Sequence, residues 1–290
     1  MNSIGFYAHK FVIIDLVSDN EMQTGRHIEE TLLDAINAEA SEILCERHKC
    51  TLSVDFFEVI EKVKSDVNDK GLISYIHIEG HGSKESLHFP DESSIKWFDV
   101  FEEFRKINIL SKNNLFFSSG ACESAHAFKS AKITEPVPVF GMLAPEDKVS
   151  AGEAVDGFIA FYKLLIKSES LNEAFRAFAD ATDGKKYALI FSQFLFERAA
   201  YKYLTQHCMG RGRQARLENS LSQAVSQAAL PVNKARKRIR RELAKPQALA
   251  LTRLHKKFMM CDMYPENTSR FPFDAVKFER DAKKGKLKIA

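Results

Sequence analysis

The sequence predicts an α/β fold: three layers around a mostly parallel central sheet, with a basic, mainly helical region at the C-terminal end. Three observations predict it. Short β-branched or apolar runs alternate with segments of helical period from the first run onward, the pattern of a parallel sheet covered by helices. The clearest case is the stretch 72–122, where an apolar run, a helix-period segment and a second apolar run follow one another as in a βαβ unit. The third observation is a change of composition near residue 197, after which Lys and Arg dominate.

The elements follow in order. Residues 11–17 (FVIIDLV) read as the first central strand, ended by Ser18, Asp19 and Asn20. Leu32, Leu33, Ile36 and Ile43 predict a helix over 29–43, with Thr24-Gly25-Arg26 in the loop before it. A second strand is expected over 51–57 and a helix over 59–67. The run 72–78 is dense in Ile and Tyr, the next helix carries Phe98, Phe101, Phe104, Ile107 and Leu110 at a step of three, and 115–117 is apolar throughout. Between the strands, 86–89 suggests a short hairpin. A helix is expected to begin over 124–130. The run 137–142 (VPVFGM) is the next strand, with Pro136 and Pro138 at its start or on an edge. A loop over 143–153 leads to helices over 154–166 and 171–181; Asp183-Gly184 marks a turn, and 187–191 (YALIF) is a last strand or the start of a long helix. Beyond a break at Gly210-Arg211-Gly212-Arg213, Leu217, Leu221 and Val225 fit an amphipathic helix, 249–260 another, and 283–288 a basic tail.

The formal net charge of +3 conceals a division of the chain. Residues 1–196 carry 20 basic and 31 acidic side chains, and residues 197–290 carry 22 and 8, giving −11 and +14. We therefore place a domain boundary between 1–196 and 197–290. The densest basic run holds Lys234, Arg236, Lys237, Arg238, Arg240 and Arg241 and is a candidate contact for nucleic acid, an acidic protein or an acidic surface of the same chain. No apolar run reaches the roughly 18 residues of a membrane span, and the start lacks a signal-peptide pattern, so no membrane association is expected. The five cysteines are scattered, as befits reduced thiols in a cytoplasmic protein. Cys45, His48 and Cys50 lack the further ligands of a zinc site, so no metal is expected.

Two phrases carry the chemistry. Tyr75-Ile76-His77-Ile78-Glu79-Gly80-His81-Gly82 and Ser118-Ser119-Gly120-Ala121-Cys122-Glu123-Ser124 each follow or end a predicted strand. Sites of open parallel sheets form at the carboxyl ends of the strands, so neighbouring strands bring His81 and Cys122 to one edge. A thiol beside an imidazole is a nucleophile beside its base. Backbone N–H groups of Gly82 and Cys122 are candidate oxyanion donors. His77 reads as a structural, hydrogen-bonded residue, and His126, four residues after Cys122, as the second choice of base.

The two phrases, with Cys122 41 positions after His81, resemble those of the caspase-like superfamily of cysteine peptidases, and most of all its bacterial CHAT branch. Ser124 stands where that branch has Thr, and Gly120 is an insertion before Ala121. The flanks of Cys122 do not match the eukaryotic caspase signature. The resemblance extends over about residues 10–165. It implies a caspase-like three-layer fold and a cysteine endopeptidase with His81 as general base, Cys122 as nucleophile and Gly82 in the oxyanion hole. It further implies a protein substrate, no cofactor, control by a regulatory protein partner, and a role in antiviral defence or cell death. Arg26 stands roughly where true caspases carry a substrate-binding arginine. Glu146 and Asp147, in the loop leaving the next strand, are candidates to receive a basic side chain. Two alternatives stand beside this one. One is an idle dyad on a binding module whose basic half grips nucleic acid or protein. The other is a thiol acyl-transfer enzyme, such as an amidohydrolase, acting on a small molecule.

Overall fold

Strands buried on both faces need an almost unbroken apolar sequence, and three runs of this chain meet that demand. In the computed structural model, which describes residues 7–227 and 231–287, they become β1 (Lys10–Asp15), β3 (Ser74–Glu79) and β7 (Phe116–Ser119), all fully buried. Together with β2 (Leu44–Lys49), β8 (Gly141–Pro145) and β9 (Tyr187–Phe191) they form one six-stranded sheet of order β2-β1-β3-β7-β8-β9. All neighbours are parallel except β8 and β9. A second, antiparallel sheet of β4 (His81–Gly82), β5 (Ser86–His88) and β6 (Ser94–Lys96) stands just past the end of β3.

Strand alternation sends successive side chains to opposite faces. On one face Phe117 meets Phe101 and Phe104 of α3 (Trp97–Leu110), which packs beside α2 (Ser53–Lys70). On the other, Tyr75 and His77 meet Tyr162 of α4 (Ala151–Ser168), which packs against α1 (Thr24–Ala38) and α5 (Leu171–Ala181). The fold is thus an α/β sandwich with helices on both faces of a mostly parallel sheet.

Several elements depart from the sequence expectation; among them, the break expected at Gly210–Arg213 is the first turn of a helix over Gly210–Gln227, and Ser124–Ser130 is a 3-10 rather than an α-helix. The second strand is Leu44–Lys49, not 51–57, and residues from Ser53 onward belong to α2. As the edge strand it carries Glu46, Arg47 and Lys49, whose ion pairs with Lys10, Asp15 and Asp19 replace apolar burial. Helix α1 begins at Thr24 rather than 29, so Thr24, Gly25 and Arg26 form its first turn. The strand expected over 137–142 starts at Gly141. Val137, Val139 and Phe140 are buried, but Pro136 and Pro138 offer no N–H to a ladder.

The chain divides into two compact units, residues 1–192 and 193–290. The second is helical: α6 (Ser192–Tyr203), α7 (Gly210–Gln227), α8 (Val232–Leu243), α9 (Ala248–Phe258), α10 (Asn267–Arg270) and α11 (Ala275–Lys283). Phe196, His255, Phe258 and Phe278 are buried in its core. The tail expected over 283–288 begins within α11, and residue 288 lies outside the described residues. Among the described residues no helix is long and apolar enough to cross a membrane.

Candidate active site

The register of β3 on β7 pairs His77 with Ser118 and Ile78 with Ser119. One residue beyond Ser119, Gly120 N–H donates to Ile78 O at 2.9 Å. Past that point the chains turn. Gly80 takes φ +152°, a conformation open to glycine, and a Cβ there would meet Leu16 Cβ at 2.8 Å. The turn lifts His81 and Gly82 out of the main sheet into β4. Gly82 nonetheless lies against the Cys122 turn: a Cβ on it would meet the Cys122 carbonyl oxygen at 3.0 Å and Ala121 Cβ at 3.1 Å. The two chemistry-bearing phrases are neighbours at the carboxyl edge of the sheet.

Both backbone donors singled out in the sequence are available there. Ser83 N–H donates to Ser86 O at 2.9 Å, which makes that pair a narrow one. Gly82 then falls in a wide pair with Leu87, and its N–H turns out of the β4–β5 ladder. The Cys122 N–H has no hydrogen-bond partner among the described residues. Trp97 closes one side, its indole N–H donating to Ser83 O at 2.8 Å.

The side chains themselves are held apart. His81 is 67% exposed, and its Nε2 lies 2.8 Å from Glu21 Oε1, which leaves Nδ1 unengaged among the described residues. The hydrogen bond from His81 holds the Glu21 carboxyl below its ordinary range. The Cys122 thiol is half-buried and faces Val149, donating to its carbonyl at 3.6 Å and accepting from its N–H at 3.5 Å. No His81–Cys122 hydrogen bond is present. The loop carrying Val149 is laid over the Cys122 turn by two further bonds: Glu123 N–H to Asp147 O at 3.2 Å, and His126 Nε2 to Glu146 O at 3.2 Å. The Glu146 and Asp147 side chains are exposed. Arg26 lies on α1, exposed and paired with Glu30 at 2.8 Å. His126 bonds a carbonyl, not the thiol.

Beneath the edge lies a buried polar network. His77 Nε2 donates to Glu79 Oε1 at 2.8 Å, Thr24 Oγ1 donates to Glu79 Oε2 at 2.6 Å, and His77 Nδ1 faces the hydroxyls of Ser118 (2.7 Å) and Tyr162 (2.8 Å). The Glu79 carboxylate abuts Gly120: a Cβ on Gly120 would lie 2.2 Å from Glu79 Oε1. A side chain at position 120 would therefore collide with the carboxylate packed on it.

Glu21, Val149, Thr24 and Tyr162 escaped the sequence reading. Glu21 is 60 residues from His81, and nothing in the spacing of an acidic loop residue pairs it with a distant imidazole. The Tyr162 hydroxyl was hidden inside an apolar helix. The Tyr187 hydroxyl is likewise buried, without a hydrogen-bond partner among the described residues, and burial and the Glu153 charge push its pKa up. No group of three or more potential metal ligands occurs among the described residues.

No protein-family model matches this chain, and no curated protein matches it. The likeness to caspase-like peptidases rests on the two phrases and on the α/β class of the fold.

Proposed function

We propose that the chain is a caspase-like cysteine endopeptidase whose catalytic part lies in the first unit. Cys122 Sγ attacks a peptide carbonyl while His81 takes the thiol proton. The N–H groups of Gly82 and Cys122 receive the oxyanion. Collapse of the tetrahedral intermediate breaks the C–N bond, and His81 returns the proton to the leaving amine. Water, deprotonated by His81, then hydrolyses the thioester and restores the thiol. Glu21 acts as the orienting carboxylate, fixing Nε2 so that Nδ1 serves as base. One observation carries the reading: Gly82 against the Cys122 carbonyl at the carboxyl edge, with the His81 and Cys122 segments following the neighbouring strands β3 and β7.

A second reading, an idle dyad on a binding module, is favoured by the separate engagement of His81 with Glu21 and of Cys122 with Val149. The two are separated by labelling with a peptidyl acyloxymethyl ketone, mapped by mass spectrometry on the wild type, Cys122→Ala and His81→Ala. A peptidase labels fast at Cys122, loses the label in Cys122→Ala and slows by about 10²-fold or more in His81→Ala. Labelling spread over all accessible cysteines, unchanged in His81→Ala, refutes the peptidase.

A further inference from the structure

The peptidase reading leaves the basic second unit unused. Its most charged element is α8, and the placement of charge on that helix is uneven. Ala235 is buried and Ile239 half-buried on the side that packs on α7, where Leu217 and Leu221 are also buried. Lys234, Lys237, Arg238 and Arg241 stand at i, i+3, i+4 and i+7 and are all exposed, three of them turned away from α7 and Arg238 at the rim of the α7–α8 cleft beside Ala235 and Ile239. Among the described residues none of the four has a carboxylate partner. The acidic neighbours are already engaged, Glu218 by Arg236 at 3.0 Å and Glu242 by Lys245 at 2.5 Å. Like charges at these spacings weaken a helix, so folding alone gives no reason for the stripe.

We infer that this outward face of α8 binds the phosphate backbone of double-stranded DNA. The four charges span about 10 Å of helix at 1.5 Å per residue, on a single straight element that the major groove of B-DNA is wide enough to admit. The face carries no aromatic side chain, as stacking on single strands requires. It also has no aromatic or aliphatic anchor of the kind that dominates protein interfaces. A membrane-surface helix would turn its apolar face to lipid, and here that face is taken by α7. The contacts are to phosphates, so they bind without reading sequence. Residues 197–290 carry +14 in all, so α8 is the densest part of a positive region.

The test is fluorescence anisotropy of a labelled 20-base-pair DNA duplex of arbitrary sequence, titrated with the full chain between 50 and 200 mM salt. Four phosphate contacts give a slope of log affinity on log salt of about −3.6, a loss of roughly 150-fold over that range. The combined variant Lys234→Gln, Lys237→Gln, Arg238→Gln and Arg241→Gln abolishes the salt-dependent binding. Lys237→Gln or Arg241→Gln alone flattens the slope by about 0.9 and guards against misfolding of the quadruple variant. A control that removes four exposed lysines elsewhere in the same unit (Lys256, Lys257, Lys277 and Lys284 to Gln) stays within about threefold of wild type. Absence of binding by the wild-type chain overturns the inference, as does an equal loss in the control. Capture by double-stranded RNA alone, or by phosphatidylserine vesicles alone, overturns it as well.

Discussion

Replacing Gly120 by Ala tests the claim that the buried carboxylate of Glu79 shapes the strand end below the candidate nucleophile. The added methyl would lie 2.2 Å from Oε1 and 2.8 Å from Cδ of Glu79. Ordinary contact needs about 1 Å more, so either the backbone or the carboxylate must move. The backbone is pinned by the Gly120 N–H bond to Ile78 O. The carboxylate therefore yields, and a shift of that size takes it out of reach of both His77 Nε2 and Thr24 Oγ1. Each hydrogen bond to a buried charged group contributes about 1.5–3 kcal/mol, so Gly120→Ala is expected to cost about 3–6 kcal/mol. The only tryptophan, Trp97, lies in the first unit, so its fluorescence during urea unfolding reports on that unit. Gly152→Ala is the control: a Cβ there meets nothing within 4 Å, and the change is expected to be neutral or to stabilise by up to about 1 kcal/mol. The double variant Gly120→Ala, Glu79→Ala should be less destabilised than the two single changes sum to, because the clash is gone. An unfolding free energy for Gly120→Ala within about 1 kcal/mol of wild type, or strict additivity in the cycle, refutes the reasoning.

Two further outcomes are expected. Glu21→Gln weakens the exposed ion pair that orients His81, worth about 0.5–1 kcal/mol, and should slow probe labelling of Cys122 about 2–5-fold. An unchanged rate removes Glu21 from the site. His255 is buried between Phe196 and Phe273, its Nε2 without a hydrogen-bond partner among the described residues, and burial lowers its pKa to about 4. The unfolded chain then takes up the proton first, so stability is full above about pH 6.5 and falls as pH drops towards 4, by about 3 kcal/mol in all. His255→Phe should flatten that part of the far-UV circular dichroism stability profile, and a profile identical to wild type excludes His255 as its source.

The parts of the fold legible in the sequence are those where burial dictates composition. The runs that became β1, β3 and β7 had to be apolar on both faces, and α3 and α5 had to keep a stripe of helical period. Leu44–Lys49 was illegible for the opposite reason: an edge strand half open to water is satisfied by Glu46, Arg47 and Lys49, which carry no strand signal. The start of α1 was hidden because Thr24 faces Glu79 of β3 across 55 residues of sequence. At the candidate site His81, Gly82 and Cys122 could be read because strand ends and glycines are local signals. The loop over 143–153 is expected there because it leaves the same strand edge, though Val149 as the partner of the thiol is not; Glu21 comes from the loop after β1, and only the folded sheet edge brings it to His81.

The separation of thiol and imidazole bears on the peptidase reading through its energy. Glu21 engages His81 through Nε2 and leaves Nδ1 to serve as base, so that pair need not break for the dyad to assemble. Sulfur is a weak donor and a weak acceptor, so the contacts of Cys122 with Val149 oppose assembly by only about 1 kcal/mol, a factor of roughly 5. A bound peptide that replaces Val149 at the thiol outweighs such a bias with one or two hydrogen bonds of its own. Catalytic hydrogen bonds are often long or misaligned before substrate arrives. On the peptidase reading the resting geometry is therefore that of a dyad whose thiol is held by the Val149 loop until substrate displaces it.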